Sequence, residues 1–295
     1  MKNLFLHAGA HKTGTTSMQR LFNKNFKLND YPNFKYVGHR GVKSRVKPLL
    51  RNGGDGLEAK GKLFFEEIFR GNDTVLMSCE DIFGMYDEIR EGTPYALMPE
   101  YTANLIKILP PDVNLYLLHC PRDYSAWMES AYAQGLKNGK SYSFKEFYEE
   151  IDSSSFSWLE LYRKTLKNLR DNDFLMIWPY EFYKEKQYDL LDKVFSYIGI
   201  ELIDKELPKA ENLTYSHVAE ELAIVGNKIL SKEEKKVLRN FLSKTFSVSY
   251  EFPKSVHLDK IHRSFWSSRY AEELVRLEEL AEIDSRVVFL NSSSL

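Results

Sequence analysis

The chain has 295 residues, with 41 lysines and arginines against 42 aspartates and glutamates and a formal net charge of −1. That length is enough for one substantial core, and the near-neutral balance excludes a global electrostatic draw toward nucleic acid. No apolar run approaches the ~20 residues of a membrane-spanning helix, and the two isolated cysteines, Cys79 and Cys120, match no disulfide framework or metal-ligand spacing and read as buried reduced thiols.

Leu4-Phe5-Leu6-His7 is a short apolar run ending in a glycine-containing loop. It is broken at His7 and followed by His11-Lys12, too short for the apolar region of a signal peptide, so the expectation is a cytoplasmic enzyme. From Thr15 the pattern turns helical, with Met18, Leu21 and Phe22 at helical spacing. Phe34-Lys35-Tyr36-Val37 is a candidate second strand. Asn52-Gly53-Gly54-Asp55-Gly56 reads as a flexible connection before a helix through Leu63, Phe64 and Ile68. Thr74–Ser78 reads as a buried strand, and 95–109 as a helix closed by Pro110-Pro111-Asp112. Asn114-Leu115-Tyr116-Leu117-Leu118 is a further buried strand, running into Pro121-Arg122-Asp123 and a helix over 125–136. Ser153-Ser154-Ser155 is a surface loop, Phe174–Ile177 a strand, and helices are expected over 190–198, 218–230, 233–246 and 267–281.

Short apolar strands alternating with helices predict an α/β fold: a central, mainly parallel sheet flanked by helices, with extra helices toward the C-terminus. Ligands of such sheets bind beyond the carboxyl ends of the strands. The candidate site residues follow Leu6, Met77 and Leu118, at those ends.

The segment His7-Ala8-Gly9-Ala10-His11-Lys12-Thr13-Gly14-Thr15-Thr16 is a phosphate-binding loop by composition and place. The first amides of a helix are unpaired, the helix dipole adds partial positive charge, and glycines let the main chain approach an anion. Gly9 and Gly14 have the spacing of a Walker A loop, but the Lys-Ser/Thr pair after the second glycine is replaced by Thr15-Thr16, and the lysine, Lys12, lies inside the loop. The usual lysine and magnesium ligand of an NTPase are therefore missing, and so is the dinucleotide fingerprint.

His11 to Thr16 resembles the loop that ends the first strand of sulfotransferases using 3′-phosphoadenylyl sulfate (PAPS), especially those of the bacterial branch. The resemblance implies that Lys12, Thr13, Gly14, Thr15 and Thr16 contact the 5′-phosphosulfate. A second family motif places an arginine at a strand end and a serine eight residues on, together holding the 3′-phosphate; Arg122 and Ser130 fit it. Arginine suits this task because its planar fork donates two aligned, charge-assisted hydrogen bonds. A third echo is Glu211-Asn212-Leu213-Thr214, like the late loop that closes over the nucleotide. It implies nucleotide contacts from Asn212 and Thr214, although Thr214 or Ser216 also reads as a plain helix cap.

What the resemblance implies is one sulfotransferase-like domain over 1–295, with PAPS as co-substrate, no metal required, and a sulfuryl group passed to a hydroxyl or amine of an acceptor. The acceptor expected from the family's habits is a carbohydrate or glycoconjugate. Lys12 is the candidate for stabilising charge on the leaving oxygen, and Glu80 is the favoured general base. His11 is the alternative base, or else a loop brace. His7 and His119 read as structural. The 250–270 stretch, with Trp266, reads as part of a terminal helical unit rather than an acceptor cleft. The rival readings are a P-loop kinase or hydrolase and a nucleotide-binding module without catalysis.

Overall fold

A computed structural model describes residues 2–26, 31–51, 55–206 and 214–291. In chain order the elements are β1 Lys2–His7, α1 Thr15–Phe26, β2 Phe34–Val37, α2 His39–Arg45, α3 Lys47–Arg51, α4 Asp55–Ile68, β3 Thr74–Ser78, α5 Met98–Ile108, β4 Val113–His119 and α6 Tyr124–Lys137. There follow α7 Phe144–Glu149, α8 Trp158–Leu166, β5 Phe174–Ile177, α9 Tyr180–Glu185, α10 Gln187–Ile198, α11 His217–Ile229, α12 Lys232–Thr245, α13 Lys260–Ile283 and β6 Val287–Phe289.

The strands form one sheet in the order β2-β3-β1-β4-β5-β6, and all five pairings are parallel. The central strands are apolar along their length because both faces are covered. Leu4, Leu6, Val75, Met77, Leu115 and Leu117 belong to the larger core, with Trp127, Trp158 and Tyr162. Phe5, Leu76 and Met176 belong to a second core, with Met18, Phe22 and Trp178. Residue-by-residue alternation along a strand is what divides the two layers.

Register then places the site. His7 pairs with Ser78 on one side and with Leu118 on the other, so β1, β3 and β4 end level. The chain leaves β1 toward β3 and β2 and later returns to the opposite side for β4. Sequence reversal of this kind opens a crevice above the strand ends.

Several elements differ from the sequence expectation. The helix expected from 95 begins at Met98, with proline in its first turn, because Tyr95 has a left-handed backbone (φ 58°). The helices α2, α3, α7, α8 and α9 are short, five to nine residues, and lie where no long apolar period marks them. Strand β6 has only three residues and exists through its pairing with β5. The 52–54 part of the expected flexible connection lies outside the described residues.

Candidate active site

The β1–α1 loop is folded around two left-handed residues, Lys12 (φ 70°) and Gly14 (φ 81°). Gly14 is required twice over: its backbone favours glycine, and a Cβ there would stand 2.3 Å from Cε1 of Tyr183. The Thr13 side chain turns inward, buried, with its hydroxyl donated to the Ala10 carbonyl. Of the predicted loop residues it is the one that does not line the cavity.

That cavity has a volume of about 790 Å³. Its wall brings together Lys12, Gly14, Thr15 and Thr16 from the loop and α1, Glu80 beyond β3, Arg122 and Ser130 beyond β4, and Thr214. These residues come from four separate stretches of sequence and meet because the strands end level. The N-terminal turn of α1 forms part of the wall, so unpaired amides and the positive helix end border the space.

Lys12 reaches Gln134 Oε1 of α6 at 3.4 Å. Burial, and next the charge of Arg122, push the Lys12 ammonium below its ordinary pKa, while Glu80 partly offsets this. Arg122 donates from NH1 to the Lys12 carbonyl at 2.7 Å and lies 4.7 Å from the centroid of the Tyr180 ring. Its Nε is buried and finds no hydrogen-bond partner among the described residues. A buried guanidinium donor left unmatched is costly, and an anion in the cavity is the natural remedy.

Glu80 takes the Thr15 hydroxyl on Oε2. Its neighbour Asp81 is a hub. It accepts from His11 Nε2 at 2.9 Å and from the Lys43 ammonium on its other oxygen, with His39 at 3.6 Å. Burial alone would raise the Asp81 pKa, but the hydrogen bonds from His11 and Lys43 outweigh it and hold the carboxyl well below its usual range.

His11 is engaged at both ring nitrogens. The Tyr95 hydroxyl accepts the His11 main-chain N–H at 2.8 Å and meets Nδ1 at 2.9 Å. The main-chain N–H and Nδ1 of His11 thus meet one phenol oxygen, and Nε2 faces Asp81. Both ring nitrogens of His11 are therefore engaged, as a loop brace requires, although the residue also borders the cavity. Tyr95, Asp81 and Lys43 complete the brace; nothing in their sequence spacing signals it.

The sequence shows no metal-ligand spacing, yet the fold gathers His11, Glu80 and Asp81 with donor atoms within 4.8 Å of one another. Each is already hydrogen-bonded, and a cation there would face the Lys43 ammonium.

Asn212 lies outside the described residues. Thr214 lines the cavity, while the cap of α11 is Ser216, whose hydroxyl accepts the Ala219 amide. His7 and His119 are fully buried, with Nδ1 on the Ser78 hydroxyl and on the Tyr162 hydroxyl, as structural residues would be. Both cysteines are buried free thiols, and burial pushes Cys79 up to about 12. Trp266 is buried with its indole N–H on the Tyr148 hydroxyl, while Tyr250 is fully exposed; neither lines the cavity. No described helix is long and apolar enough to cross a membrane.

No known family profile matches the chain, and no curated protein matches its sequence. One solved structure similar to it is a sulfotransferase from Alicyclobacillus acidocaldarius, 14% identical, with the match covering 77% of this chain and 93% of that one at a TM-score of 0.43.

Proposed function

We propose that this chain is a sulfotransferase that moves the sulfuryl group of PAPS to a hydroxyl or amine of an acceptor, in keeping with a carbohydrate or glycoconjugate. The observation that carries the reading is the meeting of two cationic sites in one cavity: the Lys12 loop at the start of α1, and Arg122 with Ser130 two turns into α6. A nucleotide with two separated phosphate positions needs such a pair. The orphaned Arg122 Nε and the unpaired first amides of α1 fit an anionic ligand.

When bound, PAPS supplies a sulfuryl group on a good leaving group, adenosine 3′,5′-bisphosphate. The acceptor oxygen forms a bond to sulfur as the sulfur–oxygen bond to the bisphosphate breaks. Lys12 and the α1 amides stabilise the charge that develops on the leaving oxygen, and the main chain of Gly14 and Thr15 with Thr16 holds the 5′-phosphate. Glu80 takes the acceptor's proton, and its hydrogen bond from Thr15 fixes the carboxylate beside the loop. His11, held by Tyr95 and Asp81, keeps the loop in shape. The scheme asks no metal of the protein.

The test is a pair of measurements. Radiolabelled PAPS incubated with a panel of glycans should give a labelled product, and calorimetry should show tight, magnesium-independent binding of adenosine 3′,5′-bisphosphate with weak binding of ATP. Preferential, magnesium-dependent ATP binding would instead support a kinase or hydrolase and sink this proposal.

A further inference from the structure

A second cavity, of about 440 Å³, lies between α4 and the outer strand β2 and shares no residue with the first. Its walls are β2 with Gly38, the end of α2 at Arg45, the α4 residues Phe64, Glu67 and Ile68, and Arg70 and Asn72 ahead of β3.

Strand β2 ends the sheet on this side. It pairs with β3, and no described strand lies beyond it. The Asn33 carbonyl accepts from the Thr74 amide, so the ladder to β3 uses the odd-numbered residues of β2. Tyr36 therefore turns its main-chain N–H and C=O outward, and neither has a main-chain partner among the described residues. An open strand edge is a template for a further strand. The two faces of β2 differ as well. Phe34 and Tyr36 pack on the second core, whereas Val37 packs on the larger core, as do Phe64 and Ile68 of α4. Alternation puts Lys35 on the Val37 side, where the cavity lies.

Charge is uneven here. From Tyr31 to Gly54 the sequence has six lysines and arginines and no aspartate or glutamate. Two of the six, Lys43 and Lys47, are held by Asp81. Lys35 and Arg45 border the cavity instead, with Arg70, against one carboxylate, Glu67. The Arg45 guanidinium lies 4.8 Å from the centroid of the Phe64 ring. The hollow thus has an apolar floor and a cationic rim. A second copy of β2 laid on this edge would set Lys35 and Arg45 of both chains against each other, which is unfavourable. An acidic strand would not meet that repulsion.

We infer that the β2 edge binds an extended acidic segment of a partner polypeptide, which adds a strand to the sheet outside β2. Its main chain pairs with Tyr36, its carboxylates meet Lys35, Arg45 and Arg70, and an apolar side chain enters the hollow over Phe64 and Ile68. The inference goes beyond the sulfuryl-transfer reading and does not depend on it.

The test uses the full chain at low salt and blocked hexapeptides that alternate valine with glutamate or with lysine. By fluorescence anisotropy the glutamate peptide should bind at least about tenfold more tightly than the lysine peptide. N-methylation of the glutamate peptide's main chain should cost at least about tenfold, and so should Arg45→Gln with Arg70→Gln, both exposed positions whose change leaves the fold intact. Amide exchange at Tyr36 should slow when the glutamate peptide binds. No binding of the glutamate peptide, equal binding of the two peptides, undiminished binding of the N-methylated one, or unchanged exchange at Tyr36 overturns the proposal. So does equal, Arg45- and Arg70-dependent binding of single-stranded DNA or a sulfated oligosaccharide, which would make the rim a general polyanion site.

Discussion

Arg122 donates to the main-chain carbonyl of Lys12 at 2.7 Å, joining the end of β4 to the loop after β1. Lys12 is a non-glycine residue in the left-handed region, and this bond is one of the contacts that hold it there. The two candidate anion sites are therefore one mechanical unit. Arg122→Ala should weaken adenosine 3′,5′-bisphosphate binding by about 100-fold, from the loss of charge-assisted bonds. Arg122→Lys keeps the charge but not the planar fork and should fall between the two. Calorimetry on both variants checks this; equal affinity in all three proteins would dissociate Arg122 from the nucleotide.

Lys12→Ala should lower sulfate transfer by about 10²–10³-fold, the usual cost of removing one donor to a developing negative charge. Among the described residues its side chain makes one long hydrogen bond, to Gln134, so thermal stability should hardly move. A large fall in melting temperature would mean that the loop had collapsed and that the lost activity says nothing about chemistry.

Glu80→Gln preserves shape and removes the proposed base. Turnover should drop by about 10²–10⁴-fold with bisphosphate affinity nearly unchanged. Wild-type turnover in this variant would assign proton removal to another group.

Gly14→Ala meets two obstacles, a positive φ of 81° and the Tyr183 ring 2.3 Å from the new Cβ. It should destabilise the protein by about 1–3 kcal/mol and abolish nucleotide binding. Adding Tyr183→Ala removes the clash but not the backbone cost, so recovery should be partial. Chemical denaturation of the single and double variants separates the two terms.

Burial pushes His7 down to about 4 and His119 down to about 3. Between those values and the unfolded histidine value near 6.5, the unfolded chain binds protons that the folded chain refuses. Stability therefore falls as pH drops from about 6.5 toward about 4, by about 2 kcal/mol per histidine between pH 7 and pH 5. Urea unfolding at those two pH values should show the loss, and His7→Gln should remove part of it. A wild-type stability that is flat over this range would mean that neither histidine is held neutral.

Much of this protein is legible in its sequence. The strands Thr74–Ser78 and Phe174–Ile177 stand out because a strand covered on both faces must be apolar throughout. Lys12, Gly14 and Arg122 stand out because a lysine, a glycine and an arginine are unusual directly after buried apolar strands. The position of Tyr95 was not legible: its neighbours read as helix, and its left-handed backbone reflects a contact with His11 made across 84 residues. A loop brace was one of two readings of His11 in the sequence, but its partners were hidden, since Asp81 and Tyr95 arrive from two different loops.

The sequence by itself determined the parallel α/β architecture and the glycine-containing turn between β1 and α1, because hydrophobic periodicity and local backbone chemistry are written in neighbouring residues. Tertiary structure decided which groups share a cavity. The level ends of β1, β3 and β4 bring Glu80 to Thr15 and Arg122 to Lys12, and α6 sets Gln134 and Lys137 beside them. Those juxtapositions arise from strand order and register, which pair residues remote in the chain and leave no mark in local spacing.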